Sequence, residues 1–356
     1  MIPILGKPVM EYLIEHLACH NIRQIMVNTS HLGERIEQYF GDGRRFGVEI
    51  GYSFEGFVED GVVTPMAMGS AGGMRKIQDF GNFFDSTTVV LCGDALIDLD
   101  LTLAVEQHRA KGALVSVVVK EVPRDDVSSY GVVVAESDGK IVSFQEKPSA
   151  AEARSNVVNT GIYIFEPEAL DMIPRNVVFD IGSQLFPLLV ESGVPFYAQK
   201  HNINWIDIGQ VSDYWYAMQR VMQEEVSGIA MPGRQVRPGL WVGLNNKIDW
   251  TQTSIEGPVY IGSNTSIAPG STIVGPTFIG HGCKIDQGAQ VTRSVIFEHT
   301  RIARNACVNE QIVSGRYCVS KDGGHIPQLD ARRSVVWGDA RAKEGGALRL
   351  AVAATA

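Results

Sequence analysis

From residue 255 onward the sequence repeats with a period of six. Ile255, Ile261, Ile267, Ile273, Ile279, Ile285, Val291 and Phe297 are evenly spaced, and Ile302 and Val308 continue the series after one five-residue step. A Gly or small residue often follows the aliphatic one, as in Ile261-Gly262 and Ile267-Ala268. Neither the 3.6-residue turn of a helix nor the alternation of a flat strand produces such a period. Hexapeptide coils of a parallel β-helix do, each short face pointing one aliphatic side chain inward. The spacing predicts a left-handed parallel β-helix over 227–320, with about three coils of roughly eighteen residues in its regular part. The polar and then small-residue stretch 321–356 reads as a mobile C-terminal tail.

Residues 1–226 carry a different signal. Val9, Leu13 and Leu17 recur at helical spacing, followed by strand-like 24–28, a helix over 32–40 and a strand over 48–54. A helix over 70–80, a strand running from Thr88 into Gly93, a helix over 103–111 and a strongly β-branched run over 113–122 continue the alternation. Residues 131–165 read as an antiparallel extension, and helices follow over 181–191 and 211–224. This order predicts an α/β domain with a Rossmann-like, doubly wound and mostly parallel sheet. The chain opens in a loop and a helix, so that sheet is expected to lack its first strand.

Composition removes several classes of function. A net charge of -9 gives no broad basic field for a nucleic-acid backbone. Five cysteines, an odd total without a Cys-x-x-Cys pair, argue against a disulfide framework or a zinc knuckle and for the reducing cytosol. No apolar run approaches the ~18 residues of a membrane span, and the N-terminus lacks the charged and apolar regions of a signal peptide.

The candidate chemistry lies at strand ends. The Thr88 strand empties into Gly93-Asp94, and in open α/β sheets ligands bind at that carboxyl edge, where Gly93 lets a ligand approach the backbone. Asp94 could equally cap the next turn. Trp205-Ile206-Asp207-Ile208-Gly209 supplies a second aspartate beside a glycine. Asp94 and Asp207 together suit one Mg2+, which needs few protein ligands and leaves room for phosphate oxygens and water. Gly69-Ser70-Ala71-Gly72 runs into a helix whose first amides are free for an anion or a base edge. In Gln145-Glu146-Lys147-Pro148, Lys147 can neutralise a phosphate and Glu146 can accept from hydroxyls, or both are ordinary surface charges. Asn159 and Thr160 open a further strand with two polar side chains.

The order and spacing of these motifs resemble the sugar-1-phosphate nucleotidyltransferases, also called nucleotide-sugar pyrophosphorylases. The resemblance runs through Gly6-Lys7-Pro8-Val9-Met10-Glu11-Tyr12, Gly69-Ser70-Ala71-Gly72, Gly93-Asp94, Tyr130-Gly131, Glu146-Lys147-Pro148, Asn159-Thr160-Gly161 and Trp205-x-Asp207-x-Gly209. The hexapeptide region is similar to that of the members that make GDP-mannose. The resemblance implies a reaction of an NTP with a sugar 1-phosphate, GTP and mannose 1-phosphate being favoured, to give an NDP-sugar and pyrophosphate. It also implies roles. Asp94 and Asp207 hold Mg2+, Lys147 meets the sugar phosphate, and Gly131, Glu146, Asn159 and Thr160 line the sugar. Gly69, Ser70, Ala71 and Gly72 face the base, Gly93 adjoins the ligand, and the β-helix joins copies into a homo-oligomer.

The family's glycine-rich phosphate loop, with its arginine and a following lysine, lies upstream of the Gly-Lys-Pro segment, and the sequence begins about where that region would end. Two expectations follow: an active transferase whose natural start lies further upstream, or a binding or regulatory relative with weak catalysis. Glucose 1-phosphate with UTP or dTTP is the alternative substrate pair. A hexapeptide acyltransferase is an alternative of another class, for which His281 or His299 on the repeat would serve as the base.

Overall fold

One strand, Val157–Phe165, organises the α/β part of the molecule. On one edge it pairs antiparallel with Val115–Glu121, and on the other with Thr88–Leu91 and, through Val158, with Gly131–Ala135. Phe196–Lys200 adds in parallel beyond Val115–Glu121, and Ile141–Glu146 pairs antiparallel with Gly131–Ala135. The Val115–Glu121 strand reads Val-Ser-Val-Val-Val-Lys-Glu and is buried over its first five residues. A β-branched run with both faces covered makes such a central strand. Helices supply the cover: Phe186 and Leu189 from Phe186–Glu191, and Ala71, Met74 and Ile77 from Ser70–Gly81, join one core with Phe165 and Phe196.

The computed structural model describes residues 2–60, 62–330 and 334–342. It divides into two compact units, Val9–Asp207 and Ile2–Pro8 with the chain from Ile208 onward. Gln24–Thr29 and Glu49–Phe54 form a separate parallel pair in the first unit. Ile25 shares a core cluster with Val89 and Leu91, yet among the described residues no ladder joins Gln24–Thr29 to Thr88–Leu91. Among the described residues no helix is long and apolar enough to cross a membrane.

The second unit has the pairing pattern of a parallel β-helix. Leu240–Val242, Val259–Ile261, Thr277–Ile279, Val295–Ile296 and Gln311–Val313 stack as successive parallel rungs of one sheet. Two further parallel stacks start at Lys247–Ile248 and Ser254–Glu256. The five rungs exceed the three coils expected, because irregular steps at both ends, seven residues from Ile248 to Ile255 and five from Val308 to Val313, hide the first and last rungs from a strict six-residue count. The inward register also differs at one place. Ile296 is fully buried and pairs with Ile279, while Phe297 turns outward and stacks on Tyr214. The five-residue step therefore falls between Val291 and Ile296.

The Val211–Met222 helix packs among residues of the second unit: Tyr214 stacks on Phe297, and the Trp215 indole N–H donates to the Arg293 carbonyl at 2.9 Å. Part of the expected mobile tail is ordered, since Trp337–Asp339 pairs antiparallel with Thr300–Ile302 and buries Trp337 in the coil's core. The rest of that expectation, 331–333 and 343–356, lies outside the described residues.

The register makes a sharp prediction. Ile296→Ala should cost about 2–5 kcal/mol in urea unfolding, as a fully buried aliphatic truncation does. Phe297→Ala, at a half-buried site, should cost only about 1–2 kcal/mol. The reverse order would return Phe297 to the interior.

Candidate active site

Two acids distant in sequence meet at the end of the Thr88–Leu91 strand. Asp94 follows it and leads into Ala95–Ile97, which pairs antiparallel with Trp205–Asp207 so that Asp207 lies opposite Ala95. Buried Leu96 and Ile206 anchor the pair. Asp98 fixes its register: its carboxylate accepts from the Asn204 backbone N–H and from the Asn204 Nδ2, each at 2.7 Å. The charges of both acids act on the Cys92 thiol. Cys92 is exposed, but its thiol lies in a recess beside Gly161, and desolvation, followed by the charges of Asp94 and Asp207, pushes it up to about 11. A side chain built at Gly93 would meet open space. The rim is therefore acidic and open to a ligand. Among the described residues no group of three or more His, Cys, Asp or Glu could by itself hold a metal. Two carboxylates at an open edge still fit a hard divalent cation that takes its other ligands from phosphate and water.

Glu146 and Lys147 stand at a second strand end. Gly131 pairs with Glu146, and a Cβ at Gly131 would come 3.2 Å from Glu146 Oε2, while one at Gly182 would come 2.6 Å from the same oxygen. The carboxylate thus occupies a slot that exists because both positions lack a side chain. Burial, then the like charge of Asp180, raise the Glu146 pKa, and Lys147 works against them. Lys147 takes a left-handed backbone conformation, φ 43°, and its amide donates to the Tyr130 carbonyl at 3.2 Å. The ladder ends there and the lysine side chain is exposed.

Asn159 and Thr160 sit where the Val157–Phe165 strand slips its register against Val115–Glu121, between Asn159 and Tyr163. Such irregularities re-aim side chains. Asn159 stays half-buried, with its Nδ2 donating to the Tyr163 hydroxyl at 2.9 Å and its Oδ1 accepting from the Gly161 N–H. Thr160 turns the other way. Its hydroxyl is 2.7 Å from the Val118 carbonyl and the residue is 2% exposed, so the expected sugar contact is not made by this side chain.

The Gly69 to Gly72 turn opens the Ser70–Gly81 helix without a side-chain cap. Gly69 has φ 74°, and a Cβ there would strike the Phe179 carbonyl at 2.5 Å. Ala71 is fully buried in the core, so its side chain does not face a ligand as expected, and the exposed Ser70 donates its hydroxyl to Asp180 Oδ2. What the turn can offer is its backbone. Sequence reading also missed Glu55. Its buried carboxylate accepts from Asn28 Nδ2 at 2.7 Å and from the Met68 N–H at 3.1 Å, and so supports the approach to the turn. It missed Asp180 too, although Asp180-Ile181-Gly182-Ser183 carries a helix-cap pattern; the Ser183 N–H donates to Asp180 at 2.8 Å. The histidines considered for acyl transfer, His281 and His299, lie ring to ring at 4.9 Å on neighbouring coils.

Residues 1–224 match the family model "Nucleotidyl transferase", and 255–330 match the "GMPPB C-terminal domain". The chain belongs to the nucleotidyl transferase family, and within it to the sugar-1-phosphate nucleotidyltransferases. A UTP–glucose-1-phosphate uridylyltransferase of Synechocystis is 54% identical over 341 residues, spanning 96% of this chain and 88% of that protein. A mannose-1-phosphate guanylyltransferase of Mycobacterium tuberculosis is 25% identical over 312 residues, 87% of this chain and 77% of the other. The crystal structure of HddC from Yersinia pseudotuberculosis shares the fold with a TM-score of 0.51 at 22% identity, over 62% of this chain and 88% of that one.

The acidic rim predicts slow chemistry at Cys92. At pH 8 its alkylation by iodoacetamide, followed by mass spectrometry of the Cys92 peptide, should be slower than that of exposed Cys19. It should speed up several-fold in Asp94→Asn and in Asp207→Asn, because each substitution removes a charge that opposes the thiolate.

Proposed function

We propose that the protein joins UTP to glucose 1-phosphate, giving UDP-glucose and pyrophosphate. The observation that carries this choice of substrates is the 54% identity with a glucose-1-phosphate uridylyltransferase over nearly the whole chain. It outweighs the 25% identity with a mannose-1-phosphate guanylyltransferase and the resemblance of the hexapeptide region that favours GTP and mannose 1-phosphate. In this reading a phosphate oxygen of the sugar phosphate attacks the α-phosphorus of the nucleotide in line. The bond from that phosphorus to the β-phosphate bridging oxygen breaks, and pyrophosphate departs with no covalent enzyme intermediate. The protein's part is positioning and charge neutralisation. Lys147 pairs with the sugar phosphate, Glu146 and Asn159 accept from or donate to sugar hydroxyls, and the backbone of Gly69 to Gly72 faces the base. Asp94 and Asp207 are the residues that would hold Mg2+, which when bound neutralises triphosphate charge. Assembly through the β-helix belongs to the same proposal, and light scattering reads it directly.

A matrix of four NTPs against glucose and mannose 1-phosphates, followed by pyrophosphate release, tests the assignment. UTP with glucose 1-phosphate should be fastest, and a maximum at GTP with mannose 1-phosphate would replace it. Asp94→Asn should lower turnover about a hundred-fold or more at saturating Mg2+.

Acidity supplies a second test. Because burial and Asp180 raise the Glu146 pKa, its accepting form is lost on acidification at a higher pH than for an ordinary glutamate. The KM for the sugar phosphate should rise accordingly as pH falls. Asp180→Asn removes a like charge and should move that rise to lower pH, a comparison in which the substrate's own titration cancels.

A further inference from the structure

The turn facing the base and the slot holding Glu146 are laced to the same short segment, residues 179–182. Phe179 donates its N–H to the Met68 carbonyl at 2.9 Å and accepts from the Gly72 N–H at 2.8 Å. The Ser70 hydroxyl donates to Asp180 Oδ2 at 2.8 Å and accepts from the Ile181 N–H at 2.8 Å, so one side chain is bonded on both its donor and acceptor sides. The next residue, Gly182, is the one whose missing side chain leaves room for Glu146 Oε2. Ile181–Leu185 forms a π-helical turn rather than the α-turn expected there, with Asp180 capping it through the N–H and hydroxyl of Ser183. Wide turns of this kind are single-turn features and recur at functional sites. The Asp180 carboxylate stays ionised: burial opposes its charge, but the hydrogen bonds from Ser183 and Ser70 outweigh burial and lower its pKa.

We propose that Ser70 and Asp180 form a latch that couples the nucleotide-facing turn to the sugar-facing carboxylate Glu146, so that the two half-sites are set as one body. Both are positioning residues. The inference rests on the substrate placement given under Proposed function, with the base at the Gly69 turn and the sugar at Glu146. Cutting the latch at the nucleotide end then loosens the sugar end, although Ser70 touches no sugar. Removing Ser70 leaves the Ile181 N–H and the Asp180 carboxylate each short of one partner, a loss that hydrogen bonds to charged groups make substantial.

Steady-state kinetics with Ser70→Ala, Ser70→Thr and Ser183→Ala tests the latch, with amide hydrogen exchange of the same variants as an independent reading. Ser70→Ala should raise the KM of both UTP and glucose 1-phosphate, each by about five- to ten-fold. Ser70→Thr, which keeps the hydroxyl, should restore both. Ser183→Ala weakens the helix cap without cutting the latch and should leave the sugar phosphate KM unchanged. In the ligand-free protein, Ser70→Ala should accelerate exchange at 179–182 and at 145–147 together. A KM change confined to UTP, or exchange that quickens only at 69–72, overturns the latch. If the wild-type protein releases pyrophosphate with no substrate pair, the functional reading falls, and the exchange result decides the latch alone.

Discussion

The site depends on a three-residue ladder. Trp205–Asp207 against Ala95–Ile97 is short, yet it carries one acid to the side of another and does so in fixed register. Two like charges on an open rim gain nothing from each other. The grip of Asp98 on Asn204 and the burial of Leu96 and Ile206 keep them adjacent. Displacing the ladder by one residue would turn Asp207 to the other face. Desolvation raises the Cys92 thiol most, and the charges of both carboxylates add to it as the electrostatic trace of that arrangement.

Space, as much as charge, shapes the rest of the site. Glu146 fits because Gly131 and Gly182 both lack side chains beneath its carboxylate, and the Gly69 turn closes on Phe179 only because no Cβ intervenes. The register slip in Val157–Phe165 then separates two neighbours, leaving Asn159 half-buried and sending Thr160 into the core. The polar groups that hold these backbones, Glu55 and Asp180, are themselves hydrogen-bonded on both oxygens. Buried or half-buried carboxylates would otherwise be costly. Positioning in this site is therefore a property of the supporting acids as well as of the residues proposed to touch substrate.

The β-helix follows a separate logic. Its coil buries one aliphatic residue per short face, and stacking satisfies the backbone of each rung through the next. Outside the coil Tyr260 stacks on Phe278, while Phe297 stacks on Tyr214 of the Val211–Met222 helix, which packs against Thr277–Ile279 within the same unit. The pattern of that helix, an ordinary amphipathic one, says only that it has a buried side. Its partner lies some eighty residues further along the chain, as the Trp215 bond to Arg293 shows.

Local periodicity determined the architecture by itself. The six-residue repeat marked the β-helix, alternation of helix and strand marked the α/β domain, and glycine beside aspartate at Gly93-Asp94 and Asp207-x-Gly209 marked both acids. Each of these signals is written in residues close together, where spacing alone dictates which side chains share a face. What only the tertiary structure decided are relations between distant residues. The inward choice of Ile296 over Phe297, the burial of Ala71 and Thr160, the ordered Trp337–Asp339 strand and the Ser70 to Asp180 bond all depend on what the fold brings alongside. A sequence motif names the residues at a turn, but the direction of each side chain is set by register slips, left-handed glycines and neighbouring backbones contributed from elsewhere in the chain.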